Sequence, residues 1–115
     1  MQANPRPEKS TREDRLDATL HALSDRTRRA LLQRLTAGPA IVTELTSPFD
    51  ISRTAVSKHL RVLEQAGLVS RAIDGRVHRC SITAKRLKDV DLWLRHYRHF
   101  WESTLDALAE FAERE

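Results

Sequence analysis

Residues 51–69 carry the pattern of one amphipathic helix whose beginning and end are both marked in the sequence. Ser52 is a favoured N-cap, because its hydroxyl can accept a hydrogen bond from an otherwise unpaired backbone N–H. Gly67 can adopt the left-handed backbone conformation that ends a helix. The pattern therefore predicts a helix over about residues 53–66. The side chains expected to pack inward fall on one arc of this helix, and they are Ala55, Val56, His59, Leu60, Val62 and Leu63.

The opposite arc of this helix holds cations and hydroxyls but no carboxylate. Its members are Arg53, Thr54, Ser57, Lys58 and Arg61. Arginine can bridge two acceptors on a guanine edge, serine and threonine can bond phosphate or base, and lysine supplies a point charge to phosphate. The positive N-terminus of the helix adds to the attraction for phosphate. The pattern favours a DNA-reading helix, and the alternative is a surface helix that is basic by chance.

The length and charge of the chain favour one domain with a polyanionic partner. We assign the domain to residues 11–115 and expect residues 1–10, with two prolines among polar side chains, to form a disordered arm. The formal net charge is +4, but 16 acidic residues mean that the basicity must be local. A single cysteine and the lack of an apolar run near the ~20 residues that cross a bilayer favour a soluble, cytoplasmic protein with no membrane partner.

The sequence carries no pattern typical of an enzyme. It has three glycines and no glycine-rich phosphate loop, and no nucleophile, base and orienting group stand at a recognisable spacing. We therefore predict no catalytic residue and no cofactor.

Three shorter helical segments are predicted before the central helix. The first begins near Thr11 and carries leucines at helical spacing, and Ser24 or Asp25 then caps the second. The basic residues at the start of the second helix could face phosphate or solvent, and they are Arg26, Arg28 and Arg29. A third helix is predicted over about residues 42–47. A short helix, a tight turn and a helix with a basic face form a helix-turn-helix, whose second member reads the major groove.

The segment after Gly67 predicts a two-stranded hairpin. Residues 68–73 and 76–82 are rich in β-type side chains, and Asp74-Gly75 between them is typical of a type I′ turn. The hairpin would form a wing whose cations can lie along a phosphate backbone or enter a minor groove. Those cations are Arg71, Arg76 and Arg79, with His78 beside them.

A long helix over about residues 84–113 is predicted to form a dimer. Apolar residues recur every seven positions at Leu87, Leu94, Trp101 and Leu108, with companions at Val90, Tyr97, Thr104 and Phe111. A helix of this length is about 45 Å long, longer than one small core can cover, and the alternative is that it wraps its own domain. The proposed interface residues come from this helix and the first one: Leu16, Leu20, Leu94, Tyr97, Trp101, Leu105 and Leu108.

These segments together resemble the ArsR/SmtB winged-helix repressors. The likeness spans about residues 16–111 and is carried by residues 23–29 (Leu-Ser-Asp-Arg-Thr-Arg-Arg), 52–69, 74–76 and 97–102 (Tyr-Arg-His-Phe-Trp-Glu). It implies a mostly α fold with a small β-wing, a winged helix-turn-helix that forms a homodimer through its terminal helices. It also implies a bacterial protein that binds double-stranded DNA at an inverted-repeat operator, often its own promoter, and releases it when an effector arrives.

The chain departs from the metal-sensing members of that family, and the sequence leaves the effector unidentified. The third helix has no Cys-x-Cys pair and no histidine follows His99, so we predict no metal site. Two sensor alternatives remain: a metal site formed by His96 and His99 with Glu102, or redox chemistry at Cys80. A further alternative is a protein-interaction module that docks through the long C-terminal helix without reading DNA.

Overall fold

A computed structural model of the chain describes residues 11–114, so the predicted arm at residues 1–10 lies outside the described part. Its elements run in the following order: α1 (Arg12–Leu23), α2 (Arg26–Leu35), β1 (Ala40–Ile41), α3 (Val42–Thr46), α4 (Arg53–Gln65), β2 (Val69–Asp74), β3 (Val77–Ile82) and α5 (Lys85–Arg114). This is a winged helix-turn-helix, with α3 and α4 as the two helices of the motif, and the predicted fold is confirmed. None of the described helices is long and apolar enough to span a membrane.

The two ends of α4 form as the sequence predicts. The Ser52 hydroxyl accepts a hydrogen bond from the Ala55 backbone N–H at 3.1 Å. At the other end Gly67 has φ +80°, and the Leu68 N–H donates to the Leu63 carbonyl at 2.9 Å. The helix therefore begins at Arg53, and its C-cap residue is Ala66. Local hydrogen bonds satisfy the backbone groups at both ends.

The helix α2 is capped by Asp25, which decides between the two predicted caps. The Asp25 carboxylate accepts from the Arg28 backbone N–H at 3.1 Å, whereas the Ser24 hydroxyl turns back to the His21 carbonyl at 2.6 Å. The hydrogen bond from the Arg28 N–H is the main reason why the pKa of Asp25 is lowered.

The predicted hairpin forms as β2 and β3, and a third strand that was not predicted joins it, so the sheet has the order β1-β3-β2. The additional strand pairs Ala40 with Cys80 and Ile41 with Arg79, both antiparallel. It holds the base of the wing against the start of α3. Two residues are too few to show the alternation from which a strand is predicted.

The hairpin turn also lies one residue later than predicted. Asp74 pairs with Val77, so the two loop residues are Gly75 and Arg76. Gly75 has φ +64°, while no described residue other than glycine has a positive φ. Glycine at the first central position alone is the pattern of a type II′ turn, not of the predicted type I′ turn. Arg76 therefore stands at the tip of the wing.

The core lies between the helices and the sheet and consists mainly of leucine. Its largest fully buried side chains are Leu31, Leu35, Leu45, Val56, Leu60, Leu63, Leu68 and Cys80, together with Thr19. The helix α5 contributes no fully buried residue, although its first part packs on α1. The radius of gyration is 19.3 Å, well above the value of about 13 Å for a compact domain of 100 residues. The 30-residue α5 is thus left largely uncovered by its own chain.

Candidate nucleic-acid interface

The helix α4 has two faces, as predicted. Val56, Leu60 and Leu63 are fully buried in the core. On the other side Arg53, Thr54, Lys58 and Arg61 are exposed, and Ser57 is half-buried. The burial of one face fixes the helix on the domain and leaves the cationic face free for a partner.

A cleft of about 410 Å³ separates the beginning of α4 from the wing. It is lined by Arg53 and Ser57 of α4, by Arg71, Arg76, Val77 and His78 of the wing, and by Ile41, Val42 and Thr43 at the start of α3. None of these lining residues is acidic. Four of the eight predicted contact residues, Arg53, Ser57, Arg71 and Arg76, therefore meet around one cationic cleft, which suits a phosphate-bearing ligand. The other four do not line it, and they are Thr54, Lys58, Arg61 and Arg79.

Arg71 lies at the base of the wing and is engaged by the protein itself. Its side chain is only 14% exposed, and its Nη2 lies 3.4 Å from Oε1 of Glu64, the single carboxylate of α4. Its Nη1 lies 3.1 Å from Nδ1 of His78 on the neighbouring strand. These contacts tie β2 to the last turn of α4 and set the distance between wing and helix.

The other two arginines of the wing are exposed. Arg76 lies in the turn and is one of the residues that line the cleft. Arg79 alternates along β3 with His78 and Cys80, so it lies on the opposite face of the sheet. The three predicted wing contacts thus occupy three different environments.

The basic run of α2 is mostly directed at backbone carbonyls. Arg28 donates from Nε to the Ala22 carbonyl at 2.7 Å and from Nη2 to the His21 carbonyl at 3.1 Å. Arg29 donates to the Leu23 carbonyl at 2.8 Å. Both guanidinium groups satisfy carbonyls in the last turn of α1. Arg28 is half-buried, whereas Arg29 stays exposed. Arg26 is exposed.

Cys80, the basis of the redox alternative, is fully buried in β3. Burial raises the pKa of its thiol, and the nearby Arg71 guanidinium only partly offsets this effect. A reactive cysteine needs a stabilised thiolate and access to solvent, and Cys80 has neither. Its contacts are those of a small apolar core residue.

The histidines of the metal alternative are exposed on α5. His96 packs edge-on against Tyr97, with ring centroids 5.2 Å apart, and His99 is also exposed. Within residues 11–114 no group of three or more histidine, cysteine, aspartate or glutamate side chains could hold a metal ion. The described residues therefore provide no metal centre at this position.

The predicted interface residues differ in how far their own chain covers them. Tyr97, Trp101, Leu105 and Leu108 are exposed, at 41–63% of their surface, and Leu94 is half-buried. Leu20 is also half-buried, but Leu16 is buried at 8% exposure. Leu16 therefore packs within its own chain. Its helical spacing suits the packing of α1 on α5 as well as it suits a dimer contact.

The comparisons with known proteins agree with this geometry. Residues 23–72 match the family described as a helix-turn-helix domain. The chain is 38% identical over 101 residues to the HTH-type transcriptional regulator Rv2034 of Mycobacterium tuberculosis, an alignment that covers 86% of this chain and 90% of that one. It is 32% identical to the transcriptional repressor SdpR of Bacillus subtilis, over 66% of this chain and 84% of that one. The crystal structure of an ArsR family transcriptional regulator matches with a TM-score of 0.74 and 40% identity, over 79% and 94% of the two chains.

We predict that Cys80 is inert in the folded protein. Its alkylation by iodoacetamide at pH 8 should be at least about tenfold slower in buffer than in urea, because the thiol is buried and its pKa is raised. Mass spectrometry over time measures the rate, and Cys80→Ser shows that the label is specific. Equal rates in the two solvents would contradict the burial and support the redox alternative.

Proposed function

The chain belongs to the ArsR family of transcriptional regulators, and from this membership we propose that it is a dimeric repressor that binds an inverted-repeat operator in double-stranded DNA. The observation that carries the proposal is the bare cationic face of α4 beside the cationic cleft of the wing. The name of SdpR, a transcriptional repressor, supports repression over activation.

We assign the reading of bases to the exposed face of α4. The helix is slim enough to enter a major groove, and the side chains that it presents are the types that bond base edges and phosphates. Arg53 and Ser57 stand at the beginning of the helix, where side chains of a recognition helix reach the bases. Thr54, Lys58 and Arg61 extend the same face toward the flanking phosphates.

We assign phosphate and minor-groove contacts to the wing. Arg76 at the tip can reach the DNA beyond the major groove that α4 occupies, and Arg79 adds charge on the outer face. Arg71 has a different role in this proposal, because its guanidinium is already held by Glu64 and His78. It braces the wing at the right distance from α4 and adds to the local potential.

The dimer is proposed from the uncovered apolar face of α5. The large apolar side chains that α5 exposes are Leu92, Trp93, Tyr97, Phe100, Trp101, Leu105, Leu108 and Phe111. Monomeric proteins rarely leave so much contiguous apolar surface in water. A second copy can cover it, with Leu94 and Leu20 at the edge of the contact, and Leu16 supports α5 from within the chain. A heterologous partner docked on α5 is the alternative occupant.

Dimerisation gives the reading function its affinity. One recognition helix contacts only a few base pairs, so specific binding requires two such helices about 34–36 Å apart on one side of the DNA. An operator that matches a symmetric dimer is an inverted repeat. We propose the DNA upstream of the protein's own gene as the first candidate operator, and the bacterial cytoplasm as the place where the protein meets it.

We predict that Arg53 specifies sequence and that Arg76 contacts phosphate. Arg53→Ala should weaken binding to the operator by about 1–3 kcal/mol per lost base contact and relax the preference at one base pair of each half-site. Arg76→Ala should weaken binding to all sequences and reduce the slope of log K against log salt by about 2 per dimer. Titrations by fluorescence anisotropy at several salt concentrations measure both quantities.

The matched control for this pair is Arg71→Ala, which removes the same charge from the wing. It should lower the affinity and leave the salt slope nearly unchanged, because Arg71 binds Glu64 in place of phosphate. An unaltered base preference in Arg53→Ala together with an unaltered slope in Arg76→Ala would contradict the assignment.

We predict that the α5 face holds the dimer and that operator binding depends on it. The double change Trp101→Asp and Leu108→Asp places two unpaired charges in the proposed contact, so the variant should sediment as a monomer and lose specific binding. Circular dichroism shows whether it stays folded, as expected from two side chains that are exposed in the single chain. As a control, Glu102→Gln changes an exposed charge of the same helix. A folded, monomeric variant with parental operator affinity would refute the proposal.

A further inference from the structure

One half-buried arginine connects three helices. Arg28 of α2 donates to the Ala22 and His21 carbonyls at the end of α1, at 2.7 Å and 3.1 Å. Its remaining terminal nitrogen, Nη1, lies 3.3 Å from Nδ1 of His59 in α4. The guanidinium group therefore spans from the end of α1 to the middle of the proposed reading helix.

The chemistry of the guanidinium group sets the direction of this contact. A guanidinium group has donors only, so Nη1 of Arg28 donates and Nδ1 of His59 accepts in this hydrogen bond. Asp25 lies close to the same ring nitrogen, with its Oδ2 3.8 Å from Nδ1. Its carboxylate is also bonded to the Arg28 backbone N–H at 3.1 Å. The three side chains thus form one polar node at the edge of an otherwise aliphatic contact.

The node differs from the rest of the α4 packing in being directional. Val56, Leu60 and Leu63 are fully buried and hold the helix against the domain. Apolar contact is non-directional, so it resists separation more strongly than a small rotation of the helix about its axis. A hydrogen bond weakens steeply when its angle changes, so the bond from Arg28 to His59 resists such rotation.

The position of the node means that a rotation of α4 would affect DNA binding. The helix α1 packs on α5, whose exposed face we assigned to the dimer, and α4 carries the bare cationic face. Arg28 therefore joins the helix that supports the dimer contact to the helix that faces DNA. A two-fold axis relates the two copies of the dimer. A rotation of α4 would therefore occur in both copies, and the two helices would turn in opposite directions along the DNA.

We propose that Arg28 and His59 form a positioning link that sets the angle of α4 relative to the dimer contact and thereby selects the spacing between operator half-sites. Neither residue touches DNA in this role. The inference rests on the proposed function, because it needs a dimer that reads two half-sites.

The test measures selectivity for half-site spacing in full-length variants. The parental operator is compared with two versions in which the spacer between half-sites is one base pair longer or one shorter. His59→Leu fills a similar volume but removes the acceptor, whereas His59→Asn keeps an acceptor oxygen close to the position of Nδ1. Arg29→Gln is the matched control, because Arg29 bonds the Leu23 carbonyl and has no described contact with α4.

We expect a change in the ratio between the affinity for the parental operator and the affinity for the operators with altered spacers. A change in the affinity for the parental operator alone is not the expected result. We expect the parental protein, His59→Asn and Arg29→Gln to lose at least about tenfold in affinity when the spacer changes, because a rigid dimer fits one spacing. The affinity of His59→Leu should fall by less than about threefold when the spacer changes. Arg28→Lys, which cannot span all three acceptors, should behave like His59→Leu.

Three outcomes decide the inference. A ratio that is unchanged in both His59→Leu and Arg28→Lys, with both variants folded by circular dichroism, overturns the link and leaves the proposed function intact. A ratio reduced equally in Arg29→Gln or His59→Asn also overturns it, because general loosening would then explain the effect. A parental protein that ignores spacing altogether refutes the two half-sites of the proposed function, and the link with them.

Discussion

The burial of one face of α4 in the leucine core is the interaction on which the rest of the structure depends. Val56, Leu60 and Leu63 are fully excluded from solvent, and each such side chain contributes roughly 1.5–3 kcal/mol by leaving water. This anchoring requires no polar group from the opposite face of α4. That face can therefore concentrate cations without a compensating carboxylate, which a helix held by surface ion pairs could not do.

Some arginines of the fold are bonded to other groups of the protein, whereas others are exposed and can bind DNA. Arg28 and Arg29 satisfy the carbonyls at the end of α1, and Arg71 is held by Glu64. Arg53 and Arg76 remain exposed beside a cleft with no acidic lining residue. The net charge of +4 therefore does not describe the surroundings of the cleft, because none of the residues that line it is acidic.

Most of what was predicted correctly is determined locally, although the hairpin turn, which is also local, was placed one residue too early. Features that depend on distant partners were missed. The ends of α4 were predictable because Ser52 and Gly67 act within one turn of the chain. The strand at residues 40–41 was missed because its partner lies some 40 residues away and its own pattern is too short. The link between Arg28 and His59 crosses 31 positions and has no local pattern. The exposed cations of α4 were predictable from helical periodicity, but the contacts of Arg71 with Glu64 and His78 were not.

Hydroxyl-radical footprinting of the DNA upstream of the protein's own gene, at physiological salt, tests the central claim that two copies of α4 read adjacent major grooves. We expect two protected patches with dyad symmetry, centred about 10–10.5 base pairs apart on one side of the duplex. Protection should persist at a salt concentration that abolishes binding to unrelated DNA. A single patch of half-site width, or protection that disappears together with unrelated binding, would contradict it.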